Sequence, residues 1–164
     1  MMIRTPDLLI PAADEVKRRL ISAAMQVYKN DKYLLDYNVS ERAITHRLAV
    51  YLEELFPQWH VDCEYNRDGA DIKRVGGLCI SCPAGCSERS GERVFPDVIV
   101  HLRGKNTINL LAIEAKKNIS LKKCSFDLEK LKAYREGHLR YHYTAFINFK
   151  DTLAEIDFKT GQNA

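Results

Sequence analysis

The run Leu110-Leu111-Ala112-Ile113-Glu114-Ala115-Lys116 is apolar at every position but two, and those two are a carboxylate and an ammonium. An unbroken apolar run of this kind reads as a strand covered on both faces. Charges inside such a strand are costly unless they are paired or used. Val94 to Leu102 forms a second apolar run, and the turn-like Arg103-Gly104-Lys105-Asn106 separates it from Ile108 to Lys116. Two apolar runs joined this closely predict an antiparallel hairpin. If Leu102 lies opposite Asn109, then Asp97 falls opposite Glu114. Directly opposed residues share a face with Cβ atoms ~5 Å apart. Lys116, two residues beyond Glu114, lies on the same face.

Two carboxylates opposed among Val98, Ile99, Val100, Leu110, Leu111 and Ile113 should destabilise the sheet. A divalent cation resolves that conflict, and Mg²⁺ commonly takes one or two carboxylates together with water and substrate phosphate. A cation held there can acidify a water and stabilise charge on a phosphate oxygen. Lys116 is suited to hold the water or to neutralise transition-state charge. The arrangement fits hydrolysis of a phosphodiester. The plainer alternative is a strand-start aspartate and a surface Glu114–Lys116 pair, but the hydrophobic surroundings of both strands favour the catalytic reading.

The remaining chain supplies the layers around this hairpin. Pro11 to Asp14 resembles a helix start, and Val16, Leu20, Ala23, Ala24 and Val27 follow at helical spacing. Residues 30–38 read as a polar, tyrosine-bearing connection. Ser40 is placed to cap a second helix, with Ile44, Leu48, Leu52 and Leu55 as its core stripe and Pro57 after its end. From Trp59 the period changes to two, with Trp59, Val61, Cys63 and Tyr65 on one side of a strand. Residues 69–93 form an irregular, Cys-rich insertion. Ser125 to Glu136 is helical and Tyr141 to Phe149 is a strand, whereas the tail after Asp151 carries no decisive pattern. This order predicts a single α/β domain over 1–164, with helices flanking a central mixed sheet.

Pro96-Asp97 followed by Glu114-Ala115-Lys116 resembles the PD-(D/E)xK signature of the restriction-endonuclease-like nuclease superfamily. The resemblance covers residues 40–149. It implies an αβββαβ core, here with an extra N-terminal helix and the Cys-rich insertion, and cleavage of nucleic acid, most often DNA, with Mg²⁺ or Mn²⁺. By that resemblance Asp97, Glu114 and the backbone carbonyl of Ala115 would bind the metal, and Lys116 would assist catalysis. Many members carry a glutamate on the helix before the sheet, which Glu41 matches. Some carry Gln-x-x-x-Tyr on the later helix, where this chain has Lys130 four residues before Tyr134. Glu41 also precedes Ile44 and Leu48 by three and seven residues, on the apolar side of its helix. It can position metal or water, or complement the helix dipole from a solvated site.

Charge and cysteine usage bear on partners. The formal net charge is only +3, but residues 116–140 hold eight basic residues against three acidic ones. Lys117, Lys122, Lys123 and Lys130 in that segment are suited to a phosphate backbone, or simply to a solvated helix face. Cys79-x-x-Cys82-x-x-x-Cys86 can bind a structural Zn²⁺, with a fourth ligand from Cys63, Cys124, His60 or His101, or a cluster of a different spacing, or can be loop thiols. No apolar run approaches the roughly 20 residues that span a bilayer, and the N-terminal residues do not form a secretory signal. A cytoplasmic protein with a nucleic-acid partner and no membrane partner is expected. Self-association or a partner subunit is left open. The competing functions are a non-catalytic nucleic-acid-binding subunit and a zinc-organised interaction module.

Overall fold

In the computed structural model the described residues are 9–37, 39–65, 67–68, 71–72, 74–75, 92–93, 95–104, 108–120 and 123–161. Cys79, Cys82, Cys86 and Lys122, singled out above, lie outside them.

Among the described residues four helices and nine strands follow in chain order: α1 (Ala13–Asn30), α2 (Lys32–Asp36), α3 (Glu41–Leu55), β1 (His60–Cys63), β2 (Arg67–Asp68), β3 (Asp71–Ile72), β4 (Arg74–Val75), β5 (Glu92–Arg93), β6 (Val98–His101), β7 (Asn109–Lys117), α4 (Ser125–Glu136), β8 (Tyr143–Phe149) and β9 (Ala154–Thr160). Strands β2 with β3, and β4 with β5, make two short antiparallel pairs at the ends of the insertion. The other five strands form one sheet in the order β1-β6-β7-β8-β9. Only β7 and β8 run parallel, and α4 connects them, as a parallel crossover requires. The protein is an α/β fold whose five-stranded mixed sheet is flanked by helices.

Side-chain alternation sorts β6 and β7 between two cores. Val98, Val100, Leu111 and Ile113 pack with Leu20 and Val27 of α1 and Leu48 and Leu52 of α3. Ile99 and Ala112 pack on the other face with Leu131 and Tyr134 of α4 and Phe146 of β8. With both faces covered, these strands read as continuous apolar runs. The α1 and α3 stripes are buried as their spacing predicts, Leu55 being only partly so.

Four local features differ from expectation. The connection before α3 contains a helical turn, α2, whose Leu35 is buried. Ser40 occupies the N-cap position of α3, but its side chain makes no capping hydrogen bond. The segment after Asp151 contains β9, the outer strand beyond β8. In β9, Ala154, Ile156 and Phe158 are partly buried while Glu155, Asp157 and Lys159 are exposed. Finally, β1 does not divide cleanly into apolar and polar faces. Cys63 is exposed, and Asp62 is drawn inward by His101 Nε2 at 2.8 Å and by Arg103.

Candidate active site

The pairing of β6 with β7 fixes the first contacts of the site. Val98 lies opposite Ile113, Ile99 opposite Ala112 and Val100 opposite Leu111, a register that carries Asp97 alongside Glu114. Near the turn a bulge shifts the register, so His101 rather than Leu102 faces Asn109. The predicted alignment therefore holds at the chemically relevant end and fails beside the loop. Asp97 Oδ2 accepts a 2.8 Å hydrogen bond from the Ala115 backbone N–H, which fastens the carboxylate across the strand pair.

Glu114 is completely buried. Its Oε2 accepts a 2.7 Å hydrogen bond from Lys130 Nζ, while Oε1 has no hydrogen-bond partner among the described residues. Burial, reinforced by Asp97, pushes the Glu114 carboxyl up to about 8, although Lys130 opposes the shift. Burial also raises Asp97, against the Ala115 N–H and Lys116. Both carboxyls thus hold a proton more readily than exposed ones, chiefly because burial disfavours their charged form.

Lys116 and Lys130 connect these acids to two others. Lys116 Nζ lies 3.3 Å from Glu41 Oε2 at the start of α3 and 4.0 Å from Asp127 Oδ2 on α4. Lys130 Nζ lies 3.3 Å from Asp127 Oδ1. Burial alone would lower the Lys116 pKa, but Asp127, Asp97 and Glu41 carry it above its ordinary value, so the ammonium stays charged. Lys130 behaves alike: the cost of burial is outweighed by Glu114 and Asp127.

The structure brings Asp97, Glu114, Lys116 and Glu41 together, with the backbone of Ala115 between the first two. It gives the other named lysines different places. Lys130 is buried in this ion-pair network, away from the solvated stripe where its sequence neighbours suggested it would lie. The half-buried Lys117 directs its ammonium to the carbonyls of Leu34, at 3.2 Å, and Tyr37, and its N–H donates to Glu41 Oε1 at 3.2 Å. Lys123 is exposed just before α4. Among the candidate fourth ligands for the cysteine loop, His101 engages Asp62, and His60 Nδ1 accepts from the Arg103 N–H. Buried Cys124 donates its thiol to the Ser120 carbonyl, while Cys63 is exposed.

Asp127 is the site residue that sequence reasoning missed. The available signal was its spacing, since Asp127, Lys130, Leu131 and Tyr134 share one face of a helix. That face is buried against the sheet. The Tyr134 hydroxyl is buried there without a hydrogen-bond partner among the described residues. Burial, and then Glu114, hold its pKa far above the ordinary tyrosine range.

Four carboxylates, Asp97, Glu114, Asp127 and Glu41, therefore meet two ammoniums, Lys116 and Lys130. With all four ionised, a divalent cation would offset their excess negative charge, and the orphaned Glu114 Oε1 is a hard oxygen suited to it. Among the described residues no three His, Cys, Asp or Glu side chains form a ready-made metal cage. A cation here would rest on Asp97, Glu114, a backbone carbonyl and water. No family model, curated protein or solved structure matches the chain significantly.

Proposed function

We propose that the protein is a Mg²⁺- or Mn²⁺-dependent nuclease of restriction-endonuclease-like fold that hydrolyses phosphodiesters, DNA being the expected substrate. The observation that carries the proposal is the buried Glu114, beside Asp97 and Lys116, with one carboxylate oxygen that has no partner among the described residues. The order α3, β1, β6, β7, α4, β8 also reads as helix, three strands, helix, strand, with the short insertion strands set between β1 and β6.

Asp97, Glu114 and the Ala115 carbonyl would hold the cation. When bound, it supplies Lewis acidity to a water and to the phosphate. Lys116 acts as a fixed cation, because the same acids that keep it protonated make it a poor proton acceptor. Its charge stabilises negative charge developing on the phosphate oxygens. Glu41 and Asp127 hold that ammonium between α3 and α4, which sets its place before substrate arrives. Lys130 donates to Glu114 Oε2, while Oε1 has no hydrogen-bond partner among the described residues.

The test is incubation of purified protein with single-stranded, duplex and branched DNA, and with RNA, in Mg²⁺ or Mn²⁺. Asp97→Ala and Glu114→Gln should remove cleavage while circular dichroism remains that of the parent. Full activity in either variant, or no metal-dependent cleavage by the parent, overturns the proposal.

A further inference from the structure

Tyr33 and Tyr37 stack on each other with ring centroids 4.3 Å apart and planes 25° from parallel. The residues are nevertheless 66% and 57% exposed. Mutual stacking covers one face of each ring and leaves large apolar surface in water, a costly arrangement for two aromatic residues. They lie on α2 and its C-cap, an element of five residues and so too short to stand as an isolated helix.

The surrounding structure holds α2 rigidly. Leu35 anchors it in the core, and Asp31 at its start takes Arg47 Nε at 3.0 Å and the Tyr51 hydroxyl. Lys117 fastens its other end through the carbonyls of Leu34 and Tyr37. Lys117 follows Lys116 on β7, and both engage Glu41: the Lys117 N–H on Oε1 and the Lys116 ammonium on Oε2. The aromatic pair is thus tied through a single residue to the lysine that would face the phosphate.

We propose that Tyr33 and Tyr37 are a stacking platform for unpaired bases, so that the preferred substrate is single-stranded nucleic acid or a single-stranded branch. The placement of the phosphate rests on the nuclease reading above. Exposed aromatic rings bind unpaired bases without regard to sequence because every base offers a π-face. In a duplex those faces are already stacked on neighbouring pairs. Lys117 is spent on holding the platform.

Binding is measured in EDTA, where metal-dependent cleavage cannot interfere, by fluorescence anisotropy of labelled oligothymidylate, oligouridylate and a blunt DNA duplex. The parent should prefer at least one of the unpaired oligomers to the duplex. Tyr33→Ala/Tyr37→Ala should weaken that binding by about tenfold or more, with an unchanged thermal transition. Tyr33→Phe/Tyr37→Phe, which keeps the rings, should bind like the parent. Equal affinity of the parent and the alanine variant, phenylalanine variants as weak as alanine ones, or a parent preference for duplex would each overturn the platform. Asp97-dependent cleavage without tyrosine dependence would fault the platform alone. Tyrosine-dependent binding without cleavage would fault the nuclease reading and leave the base-binding surface standing.

Discussion

Glu114 has no solvent-exposed surface, and the cation nearest its carboxylate is Lys130 rather than Lys116. That pairing separates the work of the two lysines. Lys116→Met removes a charge placed for the reacting phosphate, so turnover should fall by orders of magnitude while nucleic-acid affinity changes much less. A variant with weak binding and normal turnover would reduce Lys116 to a backbone contact. Lys130→Met instead takes the hydrogen-bond donor from the buried Glu114 Oε2, and a buried acceptor left without its donor costs about 1–3 kcal/mol. Denaturant unfolding should show that loss, and adding Glu114→Gln should restore part of it. A stability unchanged by Lys130→Met would mean that the pair contributes nothing to folding. At this scale the sequence revealed Asp97, Glu114, Lys116 and Glu41, because charges in apolar strands and at a helix start are conspicuous. Asp127 escaped notice because a carboxylate on a helix rich in Lys and Glu looks like any solvated residue until its face is known.

Strand β7 must deliver Glu114 and Lys116 to one face and then release the chain, and its exit is closely braced. Asn118 adopts φ +50°, a left-handed conformation that asparagine tolerates better than most residues. The buried Asn148 side chain then accepts from the Ile119 N–H at 3.2 Å and donates to the Ile119 carbonyl at 2.8 Å. Asn148 pairs with Lys116 in the parallel register, so this clamp lies beside the lysine of the proposed site. Asn148→Leu would take its partner from the Ile119 N–H, while the Ile119 carbonyl keeps Lys150 Nζ at 3.2 Å, so the cost is about 1 kcal/mol for the one bond lost in this partly buried loop. Lower unfolding stability, faster amide exchange at residues 118–120 and reduced cleavage are expected together. Normal exchange would show that the loop is held by other contacts. The helix α4 was legible to the residue, and the strands β6, β7 and β8 to within a few positions, because burial on both faces makes continuous apolar runs. Strand β9 was not, although Ala154, Ile156 and Phe158 alternate there with Glu155, Asp157 and Lys159. Its signal was passed over because only one face is covered and the charged half dominates the composition. The helix α2 was concealed by its brevity, since a single turn has no period to detect.

Across the whole molecule, two helical layers close over the sheet, and the four elements α3, β6, β7 and α4 contribute the acids and lysines of one site. Sequence order alone could suggest these layers, but the convergence of α3 and α4 on Lys116 depends on helix orientations that no local pattern encodes. The burial of Glu114 links folding to protons and, on the nuclease reading, to metal. Glu114 shifts from an ordinary value of 4.5 to about 8, so between those values the folded protein binds a proton that the unfolded chain releases. Because stability changes with pH according to protons bound by the unfolded state minus those bound by the folded state, this group's contribution declines as pH rises. It is fully present below 4.5 and is lost as pH passes through about 8. A divalent cation held by Glu114, as proposed, would replace that proton, so its affinity should rise with pH over the same interval, by up to about tenfold per unit for one displaced proton. Binding confined to the folded state raises the unfolding free energy by RT ln(1 + [metal]/Kd). Thermal unfolding in EDTA should therefore show a melting temperature that falls from pH 6 to pH 8 relative to Glu114→Gln, since the variant has no carboxyl to titrate. Added Mg²⁺ or Mn²⁺ should raise the parent's melting temperature more at pH 8 than at pH 6 and leave Glu114→Gln nearly unmoved. A metal-induced rise of equal size in parent and variant would place the cation elsewhere on the protein. A rise that is larger at pH 6 would contradict displacement of a proton from Glu114.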